Sequence, residues 1–423
     1  MATRKLKIGL LGCGTVGGGL VELVHKNSSL IRQRAGVELS ISKILVRDAR
    51  KERVDAVDRG LLTTQADKVI NNGCDLVVEL MGGIEPARGF IQRSLARGKH
   101  VVTANKTLLA LDGFSLMKAA EIQKVRLGFE ASVCGGIPII RALRNGLVGN
   151  RIQRLTGILN GTSNYILTRM TEERLDFDAA LAEAQAKGFA EADPTLDVEG
   201  HDAAQKLKIL AELAFNTRLA AEAVETRGIR NITGDDVHAA HELGCVIKHV
   251  ATAETRGDGI ALNVEPVLLP GHHPLAGVRC ENNAVLVTGD AVGEMLFSGK
   301  GAGSLPSASA VLSDIVDIAC HQGGFAADPA GALPAVSLDP EGKYYLRFPV
   351  DDPSAIAVIT SILERNGVGI DRAAAVWAKQ PGAQSHVRVL THACTDKKVR
   401  TGVDEVTARG LVTPRSLMLR LAN

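Results

Sequence analysis

The stretch KLKIGLLGCGTVGGGL, residues 5–20, decides the fold. An apolar run ends at Leu11, glycines follow at 12, 14 and 17, and a helical pattern begins near Thr15. In a strand–turn–helix unit of this kind, the first glycine permits a tight turn and the second lets the backbone approach a pyrophosphate. The third lets helix and strand pack closely, and the helix N-terminus faces the anion. A glycine-rich packing turn is the plainer alternative. The strand before the motif and the helix after it favour a dinucleotide site built from Gly12, Gly14, Thr15, Val16 and Gly17.

Working outward, the runs at 7–11, 39–46, 75–80, 100–104 and 125–131 read as strands, and 87–98 and 113–123 carry helical spacing. That alternation predicts an α/β, doubly wound parallel sheet over residues 1–140. The second strand ends ILVRDARK, with Arg47 ahead of Asp48. An arginine there accommodates a 2′-phosphate, so the cofactor expected is NADP in preference to NAD, against a solvated basic loop. The run VVTANKTLLA places Lys106 just past a strand, at the carboxyl edge where ligands of such sheets lie.

The 423 residues call for two to four domains at roughly 100–200 residues each. A net charge of +2 gives no field to attract nucleic acid or anionic lipid. Seven scattered cysteines without a Cys-x-x-Cys pair read as reduced thiols. No signal-peptide pattern and no apolar stretch of about 20 residues occurs, so no membrane association and a cytoplasmic location are expected. Residues 141–322 read as a second, α+β region that closes with an amphipathic helix at 304–322. A Gly-, Ala- and Pro-rich linker is expected at 323–343. Residues 344–423 follow a β-α-β-β-α-β order with a core of their own.

The segment EADPTLDVEGHDAAQK, 191–206, poses the functional question. Asp202 and Lys206 at i, i+4 share a helix face, and an exposed ion pair worth about 0.3–0.5 kcal/mol is the bland explanation. Lys206, however, flanks the apolar stripe of Ala203, Leu207, Leu210, Ala211 and Ala214. An amine there is expected to be desolvated, with a lowered pKa suited to acid/base work. Glu191, Asp197 and Asp202 would anchor an amino group and hold the lysine.

Together these residues resemble homoserine dehydrogenase. The run AQAKGFAEADPTLDVEGHDAAQK (184–206) fits that family's signature, and TANK, EASVCGGIPII and GILNGTSNYIL fall in its order around it. The resemblance implies reversible hydride transfer between NAD(P)H and L-aspartate 4-semialdehyde, giving L-homoserine for threonine, methionine and isoleucine biosynthesis. It implies Lys206 as proton donor with Lys106 beside it, and Glu191, Asp197, Asp202, Gly161 and Thr162 as substrate contacts. The run GKGAGSLPSASAV resembles the family's loop and helix that return to the cofactor, which implies that the 304–322 helix returns to the first domain and that Gly303 touches the cofactor. A monovalent cation, sodium, would lie at the Glu130 side chain and the carbonyls of Val133, Gly135 and Ile137. The tail is similar to an ACT-type regulatory domain, which implies an L-threonine effector, and a homodimer or homotetramer is implied.

Three departures stand in the same segments: Phe189 where the family often has Tyr, Cys134 in the cation loop, and Ser354 where ACT-type domains place Gly. Two rivals remain at this level. Aspartate semialdehyde dehydrogenase would need a nucleophilic cysteine, for which Cys134 is the candidate, and a non-catalytic nucleotide or amino-acid sensor would need neither lysine.

Overall fold

The computed structural model describes residues 4–220, 222–320, 334–336, 339–378, 384–413 and 416–422. Six strands form the first sheet: β1 Arg4–Leu11, β2 Val37–Leu45, β3 Leu62–Thr63, β4 Leu76–Glu79, β5 His100–Thr103 and β6 Leu127–Gly128. Their order is β3-β2-β1-β4-β5-β6, and every pair is parallel. Beside β1 the strand order reverses, and the glycine loop follows β1 directly. That is the crevice where doubly wound sheets bind ligands. All four residues of β4 are buried, as a parallel strand covered on both faces requires.

Two local differences from expectation have clear causes. The helix expected at 113–123 already starts at Lys106, because the Asn105 side chain caps it by accepting from the Leu108 N–H at 3.1 Å. Lys106 is therefore the first helical residue. The strand expected over 125–131 stops at Gly128, where a 3-10 turn, Glu130–Ser132, takes over as the Glu130 amide donates to Asp314 at 2.8 Å.

The remaining strands are β7 Ile152–Ile158, β8 Glu225–Thr226, β9 Cys245–Arg256, β10 Gly259–Pro270, β11 Asn282–Gly289, β12 Gly293–Lys300 and β13 Ala335–Val336, then β14 Glu341–Gly342, β15 Tyr344–Pro349, β16 Ile370–Val376, β17 His386–Thr391, β18 Cys394–Thr395 and β19 Leu417–Leu421. The second sheet runs β12-β11-β7-β9-β10-β19-β15-β17-β16, with β8 and β13 also pairing with β10. The tail follows the expected β-α-β-β-α-β order, with helices Ile356–Arg365 and Asp396–Ala408 covering one face. Its last strand also pairs with β10, Val267 facing Arg420 and Leu268 facing Leu421, so the tail's sheet continues that of the middle region. Of the expected linker, 323–333 lies outside the described residues, while Ala335–Val336 is a strand paired with Ile260–Ala261.

The helix Ser304–Cys320 buries Ala308, Val311, Ile315 and Ile318 in the same core as Leu10, Leu20 and Val102. The chain thus returns to the first sheet after β12, before the tail adds its strands to the second. Ser304 tightens that return by donating to the Thr15 carbonyl at 2.8 Å, at the head of the helix Thr15–Lys26.

Candidate active site between the two sheets

At the end of β7 the chain passes through Leu159 and Asn160 into the helix Gly161–Glu173. Asn160 is the N-cap, its side-chain oxygen accepting from the Ser163 N–H at 2.8 Å. Its amide nitrogen is then free to donate twice, to Asp197 Oδ1 at 2.6 Å and to Asp202 Oδ2 at 2.8 Å. One neutral side chain thereby holds two carboxylates together.

Asp202 and Lys206 lie one turn apart on the helix His201–Ala214. Lys206 Nζ donates to Asp202 Oδ2 and to the Leu159 carbonyl, each at 2.7 Å. Lys106, from the first turn of its own helix, pairs with Asp202 Oδ1. Asp202 is 5% exposed and Lys206 8%, which removes the exposed ion pair as an explanation. Lys106 is the accessible member, its side chain 41% exposed.

Burial alone would raise the Asp202 pKa, but the ammonium groups of Lys206 and then Lys106 reverse this and hold it below the usual carboxylate range. Lys206 corrects the expectation of a lowered pKa. Burial does push it down, yet Asp202, by charge and by hydrogen bond, outweighs burial and raises it. The free site therefore holds an ammonium. Asp197 is raised, chiefly by burial, with the Asn160 bond acting in the opposite sense.

Around this centre, the Thr162 hydroxyl donates to the Phe189 carbonyl at 2.6 Å and Ser163 Oγ to the Asp197 carbonyl at 2.9 Å. Gly161 leaves no room for a side chain, since a Cβ there would lie 2.7 Å from the Glu281 carbonyl oxygen. Phe189 rests on Tyr165, ring centroids 4.9 Å apart. Glu191 stands apart: it is exposed, and its side chain makes no hydrogen bond or ion pair among the described residues. Two contributors went unread in the sequence, Asn160 and Asn283, the latter donating to the Leu159 carbonyl at 2.9 Å. Asn160 carried a signal, an Asn at a strand-to-helix junction followed by Gly-Thr-Ser; Asn283 carried none.

The glycine loop fits a dinucleotide. Gly12 has φ +98°, and a Cβ there would meet the Leu80 carbonyl at 2.7 Å; a Cβ at Gly17 would meet the Gly12 carbonyl at 2.5 Å. Gly14 faces open space at the N-cap, where no side chain caps the helix Thr15–Lys26 and no acid stands in its first turn. The Thr15, Val16 and Gly17 amides are thus placed for an anion. Arg47 is exposed two residues past β2. Asp48 instead serves its own loop, accepting from the Arg50 N–H at 2.7 Å, and Arg53 donates to the Asp48 carbonyl at 2.8 Å. Gly303, at φ +122°, opens the returning helix beside Thr15.

The candidate cation loop is also hard-oxygen in character. Glu130 is 2% exposed, and its carboxylate accepts from the Ile140 and Arg141 amides, each at 2.8 Å. Burial first, and Asp314 next, raise it to about 7. Val133 and Gly135 are buried, and their carbonyls accept no backbone hydrogen bond among the described residues; the Ile137 carbonyl accepts from Ile139 at 2.8 Å. A buried carboxylate beside unpartnered carbonyls suits a hard monovalent cation.

Known proteins resemble the chain over nearly its whole length. Residues 12–130 match the model of the homoserine dehydrogenase NAD-binding domain and residues 138–316 that of homoserine dehydrogenase itself. The homoserine dehydrogenase of Bacillus subtilis is 39% identical over 92% of both chains, and that of Neisseria gonorrhoeae 39% identical over 99% of both. The crystal structure of a homoserine dehydrogenase from Thiobacillus denitrificans superposes with a TM-score of 0.90 at 41% identity, covering 100% of this chain and 99% of that one. A hyperthermophilic archaeal homoserine dehydrogenase in complex with NADPH gives 0.64 at 28% identity, covering 74% of this chain and 98% of its own. With two lysines meeting one carboxylate beside a dinucleotide loop, and relatives matched over nearly the whole length, the chain belongs to the homoserine dehydrogenase family of NAD(P)-dependent oxidoreductases.

Proposed function

We propose that this chain interconverts L-aspartate 4-semialdehyde and L-homoserine with NADP in preference to NAD, using Lys206 as the proton donor to the aldehyde oxygen. The observation that carries the reading is Asp202, shared by Lys206 and Lys106 in a buried setting. NADPH, when bound at the Gly12–Gly17 loop, supplies the hydride. Negative charge then builds on the aldehyde oxygen, and an ammonium held at Lys206 both stabilises it and gives up a proton. Lys106 contributes a second positive charge at the cofactor side. Asp197 and Asp202 take the substrate's ammonium group, Gly161 and Thr162 shape the wall beside them, and Glu191 reaches the substrate from the rim.

Arg47 supports the preference for NADP, because it is exposed at the end of β2 while Asp48 is occupied by its own loop. Gly303 lines the cofactor side. A sodium-type cation would be held by Glu130 and the carbonyls of Val133, Gly135 and Ile137. It would offset the buried Glu130 charge and stiffen the loop between the cofactor and substrate regions. The tail acts as an ACT-like regulatory unit for L-threonine, in a cytoplasmic homodimer or homotetramer serving threonine, methionine and isoleucine synthesis. The four-strand order β19-β15-β17-β16 with two helices on one face supports the ACT-like reading. The test is homoserine-dependent reduction of NADP and of NAD, followed by absorbance of the reduced nicotinamide, with and without L-threonine. Faster NADP reduction suppressed by threonine is expected; no reduction of either cofactor would end the catalytic reading.

A further inference from the structure

Between the tail and the substrate turn lies one short strap, residues 225–233, that touches both. On the tail side, Arg227 pairs with Asp396 at 3.3 Å, and Arg400 joins Asp396 to Glu225. Arg347 donates to the Asn231 carbonyl at 2.6 Å. The same Arg347 pairs with Asp236 at 2.8 Å, and Tyr345 donates to Asp236 at 2.8 Å; all three are nearly fully buried. Asp396 is itself 4% exposed, so its pairing is desolvated and costly to break.

On the other side, the strap grips the turn that carries Asp197. The Ile229 N–H donates to the Val198 carbonyl at 2.9 Å, and Arg230 pairs with Glu199 at 3.1 Å. Gly228 allows this approach, since a Cβ there would lie 2.8 Å from the Val198 carbonyl oxygen. The Arg227 carbonyl faces His249 Nε2 at 2.9 Å, and the His249 ring in turn lies against Gly200, the N-cap of the helix bearing Asp202 and Lys206. Burial pushes His249 down to about 4, so the ring is neutral, and Nε2 must carry the proton because only a donor can face a carbonyl.

We infer that Arg227 is a positioning residue through which the tail sets the substrate turn, so that Asp396 and Arg227 govern homoserine binding and leave the cofactor loop untouched. This rests on the assignment of Asp197 and Asp202 to the substrate. Besides residues 198–200, 249 and the tail, the strap is held to β10, by Arg227 pairing with Glu265 at 3.2 Å, by the Arg227 N–H donating to the Val264 carbonyl at 2.8 Å and by Glu225–Thr226 pairing with Asn263–Val264; among the described residues none of its hydrogen bonds or ion pairs reaches the glycine loop or Arg47. Slack in the strap would move Asp197 relative to Asp202 and Asn160, and would weaken ground-state binding more than the chemical step.

The test uses the full chain with Asp396→Asn, which is isosteric and does not touch the turn, together with Arg227→Met and Arg227→Lys. Expected are a rise of about tenfold in the homoserine KM for Asp396→Asn and Arg227→Met, an NADP KM within about twofold, and partial recovery in Arg227→Lys. Amide exchange over residues 195–202 should quicken in both weakened variants. An unchanged homoserine KM and unchanged exchange in Asp396→Asn would overturn the inference, as would equal rises for homoserine and NADP. If Lys206→Ala kept full activity, the site assignment itself would fail, and the exchange measurement would still report on the strap alone.

Discussion

Replacing Asn160 by Asp separates two jobs that one residue performs. Asp caps a helix as well as Asn, so the bond to the Ser163 amide and the helix start survive. What is lost is the donor amide, which spans Asp197 at 2.6 Å and Asp202 at 2.8 Å. Hydrogen bonds to charged acceptors are worth roughly 1.5–3 kcal/mol each, so losing both removes at least about 3 kcal/mol from the ordered site. If that order matters in the transition state, kcat/KM for homoserine falls by roughly 10²-fold at neutral pH. Three carboxylates at hydrogen-bond distance cannot all ionise, so the introduced acid takes a raised pKa. On acidification its protonated form donates one bond again, and activity recovers by about tenfold relative to wild type at the same pH. The assay is kcat/KM for homoserine against pH, with melting temperature and NADPH fluorescence as controls. A variant equal to wild type at every pH would refute the argument, and so would a loss of activity accompanied by loss of NADPH binding.

Lys206→Ala should lower turnover severely while NADPH binding stays near wild type; parallel loss of both would point to a folding role. Asp202→Asn removes the charge that raises Lys206, so burial takes over and the alkaline rise of homoserine oxidation shifts to lower pH; an unmoved profile would place the titrating group elsewhere. Arg47→Ala should weaken NADPH selectively over NADH, and equal weakening of both would remove the reason for preferring NADP. Sodium, compared with choline at equal ionic strength, should raise the melting temperature of the wild type and not of Glu130→Gln; the same rise in both would exclude the Glu130 loop as the cation site.

The first sheet was legible because a parallel strand buried on both faces writes itself as an apolar run, and the glycines at 12, 14 and 17 fix its switch point. Local capping set the real start of the Lys106 helix, and Asn105, which does it, carries the same strand-to-helix signal as Asn160. The join of β19 to β10 was out of reach, since a parallel pairing across about 150 residues leaves no local pattern. At the site, residue types were readable and states were not. Lys206 is desolvated, as its flank position suggested, but its charge is kept by Asp202, a carboxylate that Lys106 from another region also pairs with. Asn283 reaches Leu159 from 124 positions away, a contact only the fold can make.

Asp202 also decides between kinds of chemistry. Cys134, the one thiol near the centre, is fully buried, its pKa pushed up by burial, and its sulfur sits 3.6 Å from the Asn283 amide. An acyl-forming nucleophile needs thiolate character and access, and this thiol has neither. The lysines differ in the opposite way. Lys206 is buried and satisfied twice, whereas Lys106 reaches the same carboxylate from the cofactor region with nearly half its side chain in solvent. A partly exposed pair adds little stability, so the fold gains little by holding Lys106 there. On the proposed function, a substrate ammonium arriving at Asp202 would compete with Lys106 for Oδ1, while Lys206 would keep Oδ2 and the Leu159 carbonyl. Binding of the amino acid would then free one charge toward the cofactor and leave the proposed proton donor in place, an arrangement for which a passive sensor would have no use.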